Sequence, residues 1–422
     1  MTGSVVVVGS SIGGVRTAQA LRSEGFDGRI VLVGEESELP YDKPPLSKQF
    51  LAGEWDADRV LLLTAEAAEH DGIELRLGAR AVRLDVAARQ VLLVDGTSLN
   101  YDSVVIATGA AARPSPWRAG SGVHVVRTLQ DGRGLHAALA EPGPVVVVGG
   151  GFIGAEVAAT ARGLGHEVTV VDPLPTPIGR VVGPEVGERF TELHHRHGVV
   201  TRFGVGVEAI EGSAGDLRVR LTDGSRLHAA TVVVGIGAVP NDGWLADSGL
   251  PIDNGVLCDQ YSRALDAPEV FAVGDVARWY HPGHREHVRV EHWTNAVEQG
   301  VCAAHNIAHP DDLRSYHPVE YVWSDQYDWK VQIVGRPTRG TRHEVVGELS
   351  GEKPRAAVLY TDETGLLSGA ITVNWPKALV QCRRAMTDGG AYAEALAKVT
   401  TLASAPARPA SRPAVPVTGE RV

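Results

Sequence analysis

The chain is poor in sulfur and in aromatic residues: 422 residues hold three cysteines, two methionines and 5% Phe, Trp and Tyr. Cys258, Cys302 and Cys382 stand far apart, with no CxxC pair and no metal-type spacing. That excludes a disulfide framework and points to a reducing, cytoplasmic setting. No run of eighteen apolar residues is present, so no segment is expected to span a bilayer. The first residues, MTGSVVVVGSS, enter an apolar run without a cationic leader, so no signal peptide is expected. Basic excess is also missing. A net charge of −11 argues against nucleic acid as partner. What remains, 44% hydrophobic and 22% charged residues over this length, is an ordinary globular composition sufficient for two or three domains.

The most informative stretch is residues 145–172, VVVVGGGFIGAEVAATARGLGHEVTVVD. A β-branched run meets Gly149-x-Gly151-x-x-Gly154. Ile153, Val157, Ala161 and Leu164 then recur at helical spacing, and a second apolar run ends in Asp172. Strand, tight turn, helix, strand and acid in that order form a dinucleotide-binding βαβ unit. The glycines admit a pyrophosphate, the helix N-terminus offers free N–H groups, and Asp172 would take the ribose hydroxyls.

The same pattern opens the chain. Residues 5–8 lead into Gly9-Ser-Ser11-Ile-Gly13-Gly14, a helix to about Arg22, a strand at 30–33, and Glu35. Ser11 replaces the middle glycine, so close approach is less free there. Each unit has a distal strand ending in small residues: VVIATG, with Ala107 and Gly109, and VVVGIG, ending at Gly237. Each also has a β-rich insert with an Asp-Gly turn, at 95–96 and at 223–224. The repeat is therefore one of whole domains. Acids at the ends of both second strands, with no arginine directly after Asp172, favour NADH over NADPH; Arg180, eight residues on, works against this.

Other residues admit two readings. In PYDKPPLSK, Lys43 and Lys48 either serve a bound flavin nucleotide or are surface lysines on a rigid loop. Gly274-Asp275 follows a strand: Asp275 either binds a ribityl hydroxyl beside phosphate-binding N–H groups or merely caps a helix. Trp293 either lies against a ring or anchors its helix. Beyond residue 321, strands are expected at 331–334, 356–360 and 366–373. There Trp323 and Trp329 either flank a redox site or fill a core. Residues 313–390 carry 10 Lys+Arg against 9 Asp+Glu, whereas residues 1–312 carry 26 against 40. A basic face on Arg336, Arg339 and Arg342 would dock an acidic partner; otherwise these are an ordinary solvated turn. Residues 401–422, rich in Ala and Pro, read as a disordered tail.

The ordered set GxSxxG, PYDKPPLSK, VIATGA, GxGxxG with RVVGPEV, VVVGIGAVPN, FAVGDVA, EHWTNAVEQG and WSDQYDWKVQIVG, over about residues 4 to 390, resembles one family. It is that of the FAD-dependent, pyridine-nucleotide-linked ferredoxin reductases serving cytochromes P450 and ring-hydroxylating dioxygenases. The resemblance implies an α/β, glutathione-reductase-like fold. Residues 1–110 and 240–320 would bind FAD, 111–239 would bind NAD, and 321–400 would form a small α+β domain. It implies FAD contacts from Gly13, Glu35, Lys48, Val82, Arg127, Asp275 and Trp293. It places Glu156 near the nicotinamide amide, possibly paired with Lys48. Lys43 stands where the family usually has arginine, which keeps the charge but loses a bidentate contact. The implied activity takes hydride from NADH and delivers single electrons to a small acidic iron–sulfur ferredoxin. Thiol chemistry of the fold needs cysteines beside the flavin, and the first cysteine here is Cys258. A rubredoxin reductase, or a non-catalytic FAD protein like the apoptosis-inducing factor relatives, are the alternatives.

Overall fold

A computed structural model describes residues 3–117, 120–351 and 353–404. Its organising elements are two sheets with parallel centres, whose central strands are Val- and Ile-rich runs. Such runs suit strands covered on both faces, where side chains on both sides of the pleat are buried. In the first sheet, Ser4–Val8 pairs in parallel with Arg29–Val33 on one side and with Ser103–Ile106 on the other. In the second, Val145–Val148 pairs in the same way with Val168–Asp172 and with Thr231–Val234. Each sheet carries a three-stranded antiparallel insert, one built from Ala81–Asp85, Gln90–Leu93 and Ser98–Asn100, the other from Val207–Ser213, Asp216–Leu221 and Arg226–Ala229. The first sheet grows to nine strands by recruiting later chain: Ala267–Ala272 joins beside Ser103–Ile106, and Glu286–Val288 closes the far edge.

The helix Ile12–Ser23 packs along the helix Trp293–Ala308. Small residues permit this. A Cβ at Gly300 would lie 2.8 Å from Thr17 Oγ1 and 3.0 Å from the Gly13 carbonyl. The chain then forms a five-stranded antiparallel sheet, in the order Tyr321–Gln326, Trp329–Gly335, Leu367–Val373, Arg355–Thr361, Arg342–Glu348. Helices Pro376–Thr387 and Tyr392–Ser404 pack against it. Two of these strands, Tyr321–Gln326 and Arg342–Glu348, were not expected from the sequence, because they are polar edge strands with little apolar alternation. The final helix runs to Ser404, so the tail expected from residue 401 begins no earlier than 405; residues 405–422 lie outside the described residues. Among the described residues, no helix is long and apolar enough to cross a membrane.

Candidate functional site

The two glycine turns are built alike. Gly9 and Gly149 adopt φ of +118° and +112°, which side chains rarely tolerate. A Cβ at Gly9 would lie 2.1 Å from the Ala107 carbonyl, and one at Gly149 would lie 2.2 Å from the Gly235 carbonyl. A Cβ at Gly14 or Gly154 would run into the carbonyl of Gly9 or Gly149, at 1.8 and 1.9 Å. Turn, helix and distal strand therefore touch through backbone alone. Neither following helix has an acid in its first turn, and neither N-cap residue, Ser11 or Gly151, makes a side-chain capping bond. Both helix N-termini are left with free N–H groups and an unbalanced positive end.

A cavity of about 590 Å³ runs from the first turn across the end of the nine-stranded sheet. Its walls include Gly9, Gly13, Glu35, Lys43, Arg127 and Asp275, with Ala107, Gly109 and Gly274 from neighbouring strand ends. Glu35 is largely exposed, its side chain 70% accessible, with Arg80 Nε 3.9 Å from its Oε1. Arg127 Nη2 pairs with Asp275 Oδ2 at 3.2 Å; burial nonetheless pushes the Asp275 carboxyl up from its ordinary value. Lys43 Nζ lies 3.5 Å from Glu36 Oε1, and burial, then the Arg127 charge, pulls the lysine down. Tyr41 completes this wall by donating to Glu36 at 2.6 Å and accepting the Leu129 N–H at 2.8 Å. Ala79, Arg80 and Ala81, at the start of the insert, line the cavity, and Val82 follows directly. The ladder is irregular between Ala81 and Arg83, so Val82 sits at a bulge, which no periodic reading of the strand anticipates.

Beyond the cavity lies a polar junction. Glu156, on Phe152–Gly163, is 3% exposed. Its Oε2 accepts from Lys48 Nζ at 2.8 Å and from Ser47 Oγ at 2.5 Å, and its Oε1 accepts from Ser324 Oγ at 2.7 Å. One carboxylate thus ties together the PPLSK loop, the second glycine-turn helix and the C-terminal sheet. The two serines escaped the sequence reading, since a serine carries no periodicity. The usable signal was an acid in the buried run Ala155–Ala158. Nearby, Trp293 Nε1 donates to Asp42 Oδ1 at 2.7 Å, and burial pushes the Asp42 carboxyl up. Trp293 meets Trp323 edge-on at 5.8 Å, and Trp323 stacks on Tyr321 at 6.1 Å. Trp329, by contrast, is core, packed edge-on against Phe190.

At the second turn, Asp172 is committed to the backbone. Its Oδ2 accepts the Gly150 N–H at 2.7 Å and its Oδ1 accepts the Leu174 N–H at 2.8 Å. The carboxylate expected to take the ribose hydroxyls thus also buttresses the glycine turn. Ile153 and Leu164, expected on the buried helix face, are exposed; Val157 and Ala161 are fully buried. Arg180 and Gly237 are exposed, Gly237 with φ +104°. The arginine trio is not a free basic face. Arg336 pairs with Glu320 and Glu286 at 2.8 Å each, and Arg339 also pairs with Glu286. Arg342 is exposed on a strand rather than in a turn. Burial holds the Cys258 thiol far above its ordinary value and pushes Cys382 up to about 12 and Cys302 to about 11.

The family model described as pyridine nucleotide-disulphide oxidoreductase matches residues 3–300, and the one described as reductase C-terminal matches residues 321–401. The chain is 39% identical to rhodocoxin reductase of Rhodococcus erythropolis, over 82% of this chain and 81% of that one. It is 38% identical to the ferredoxin–NAD(+) reductase component of the anthranilate 1,2-dioxygenase system of Burkholderia cepacia, over 91% and 94%. The crystal structure of the covalent putidaredoxin reductase–putidaredoxin complex superposes with a TM-score of 0.87 at 34% identity, covering 92% of this chain and 93% of that one. With more than half its length matched by the first model, the chain belongs to the pyridine nucleotide-disulphide oxidoreductase family and carries the reductase C-terminal domain.

Proposed function

We propose that this chain is an NADH-dependent FAD flavoenzyme that passes electrons one at a time to a ferredoxin, which in turn feeds a cytochrome P450 or a Rieske-type oxygenase. The observation that carries this reading is the pair of matching glycine turns, each at the end of a parallel β-strand trio, combined with the lack of an accessible cysteine pair: Cys258 and Cys382 are buried and Cys302 is half-buried. Disulphide reduction needs an accessible thiolate, whereas burial raises all three thiols here and no two cysteines form a pair. That favours an external acceptor for the electrons.

The family implies FAD and a nicotinamide nucleotide. The residues present fit FAD. The cavity at the first turn lies within the roughly 300–1,000 Å³ typical of cofactor sites. It joins an acid for ribose (Glu35), a helix N-terminus free of acids, and the half-buried cations Lys43 and Arg127 for a pyrophosphate. Asp275 would take a ribityl hydroxyl. When bound, FAD supplies the conversion between a two-electron hydride donor and a one-electron acceptor. The protein's own part is positioning. Lys48 keeps a positive charge beside the redox site while satisfying Glu156, and Glu156 would orient the nicotinamide amide. Trp293 and Trp323 would form the apolar edge through which a ferredoxin is reached. On this reading residues 1–110 with 240–320 house FAD, 111–239 NADH, and 321–400 the partner-facing domain. The nine-stranded sheet, which draws on both of the first two segments, supports that division.

NADH preference rests on Asp172, whose charge would oppose a 2′-phosphate. The expected ratio of kcat/KM for NADH to that for NADPH is above one, and a ratio below one overturns the preference. The reading as a whole is tested by reduction of cytochrome c with NADH. Turnover should need an added ferredoxin, and a purified protein that takes up no FAD would end the proposal.

A further inference from the structure

At the end of the helix pair away from the glycine turn, three side chains converge. Ile12–Ser23 is capped by Glu24, and Trp293–Ala308 by His309. His305 and His309 stand one helical turn apart, on the same side, with ring centroids 4.7 Å apart. Glu24 Oε2 lies 2.9 Å from His305 Nδ1 and 3.2 Å from His309 Nε2. The three candidate ligand atoms lie within 4.8 Å of one another. Gaps of about 3 Å are those expected between neighbouring ligands that each sit roughly 2.0–2.2 Å from one zinc ion.

The protons of His305 sharpen this. Its ring is 3% exposed, and its Nε2 lies 2.9 Å from the Asp312 carbonyl. Both nitrogens thus face acceptors: a carbonyl on one side and a carboxylate on the other. Two arrangements satisfy both sides: an imidazolium at His305 that donates to both acceptors, or a neutral ring whose Nδ1 lone pair faces a divalent cation shared with His309 Nε2 and Glu24 Oε2. The second also gives a partner to His309, which meets the same carboxylate oxygen as His305. The Nε2–H donates to the Asp312 carbonyl, which fixes the tautomer as outer-sphere partners of metal-bound histidines do. Nδ1 is then free to ligate. The only other His/Glu cluster of this kind among the described residues, His281, His284 and Glu320, differs in kind. There Arg336 bonds the same Glu320 oxygen as His284, at 2.8 Å, and occupies the ligand atom itself, whereas Arg314 reaches only the other oxygen of Glu24, at 3.9 Å.

We propose that Glu24, His305 and His309 bind one divalent transition-metal cation of the zinc class, which clamps the C-terminal ends of the two packed helices. Two imidazoles and a carboxylate suit such an ion. The side chain of His309 is 43% exposed, which leaves an entry path and a position for water. The site lies twelve residues along the helix from Trp293, about 18 Å at 1.5 Å per residue. Its role is therefore structural, and it does not depend on the ferredoxin reading.

The test uses the FAD-loaded protein, stripped with EDTA, freed of chelator and equilibrated with zinc. Bound zinc is counted by atomic emission, and Tm is followed against free zinc. The wild type should hold one zinc per chain more than His309→Ala, and only the wild type should gain Tm as zinc rises through this site. Glu24→Gln, which keeps the shape and removes the charge, should weaken zinc binding at least tenfold. NADH–ferricyanide activity of His309→Ala should match the wild type. Equal zinc content in wild type and His309→Ala, or an unaltered zinc affinity in Glu24→Gln, overturns the proposal.

Discussion

Glu156 is a carboxylate that its own helix would expel into water, since its neighbours Ala155 and Val157 are buried. It stays because Lys48, Ser47 and Ser324 supply three donors within 2.8 Å. Hydrogen bonds to a charged group contribute about 1.5–3 kcal/mol each, and breaking a buried ion pair from one side costs about 3–5 kcal/mol. Lys48→Ala should therefore lower stability by about 3 kcal/mol, and Ser324→Ala by about half that, in denaturant titrations. If the positive charge of Lys48 also serves the redox site, NADH should bleach the flavin of Lys48→Ala roughly tenfold more slowly in stopped flow, equivalent to about 1.4 kcal/mol of barrier. The double variant Lys48→Ala/Glu156→Gln separates the two roles. It should recover stability, because no buried charge is left alone, without recovering the rate. An unchanged rate in Lys48→Ala would remove that residue from the site.

At the scale of elements, the second glycine turn depends on an acid that reads in sequence as a ligand-binding residue. Asp172 accepts both the Gly150 and Leu174 N–H groups. Asp172→Ala would strand two donors at about 1–3 kcal/mol. The expected result is a lower Tm together with a raised KM for NADH; a raised KM with unchanged Tm would mean that the turn does not need this support. The strand–turn–helix units themselves were legible in the sequence, because a β-branched run ending in glycine has few other solutions. Glu156 and its pairing with Lys48 came from the family resemblance rather than from the spacing of residues, and the pairing is present. What escaped was carried by residues without a pattern. Ser47 and Ser324 act through single hydroxyls, and Tyr321–Gln326 is an edge strand that places Trp323 against Trp293 although its own burial pattern is irregular. Spacing also said nothing of whether Arg336 and Arg339 were free, because their carboxylate partners lie 16 to 53 residues away in sequence.

Those arginines matter most at the scale of the whole molecule. Glu286 lies on the edge strand of the nine-stranded sheet, and Glu320 stands just before the C-terminal sheet. Arg336 bonds both, so one guanidinium joins the two bodies. Burial alone would raise the Glu320 carboxyl, but the His284 hydrogen bond and the Arg336 charge outweigh it and hold the pKa at about 2, against an ordinary 4.5. The folded-state pKa is depressed. The stabilisation is therefore fully present above about pH 4.5 and is lost as pH falls toward 2. For a shift of that size it is on the order of 3 kcal/mol at neutral pH. Arg336→Gln removes the guanidinium charge and lets the folded pKa return toward 4.5. Its Tm at pH 7 should therefore fall below that of the wild type, and the gap should narrow as pH is lowered from 4.5 toward 2, where wild-type Glu320 also begins to take up its proton. Arg342→Gln, with an exposed side chain on the outer strand, should show no such pH-dependent gap. Thermal unfolding of the two variants across that range distinguishes an interdomain tether from a surface charge. A gap for Arg336→Gln that stays constant with pH would mean that Glu320 owes its low pKa to His284 alone.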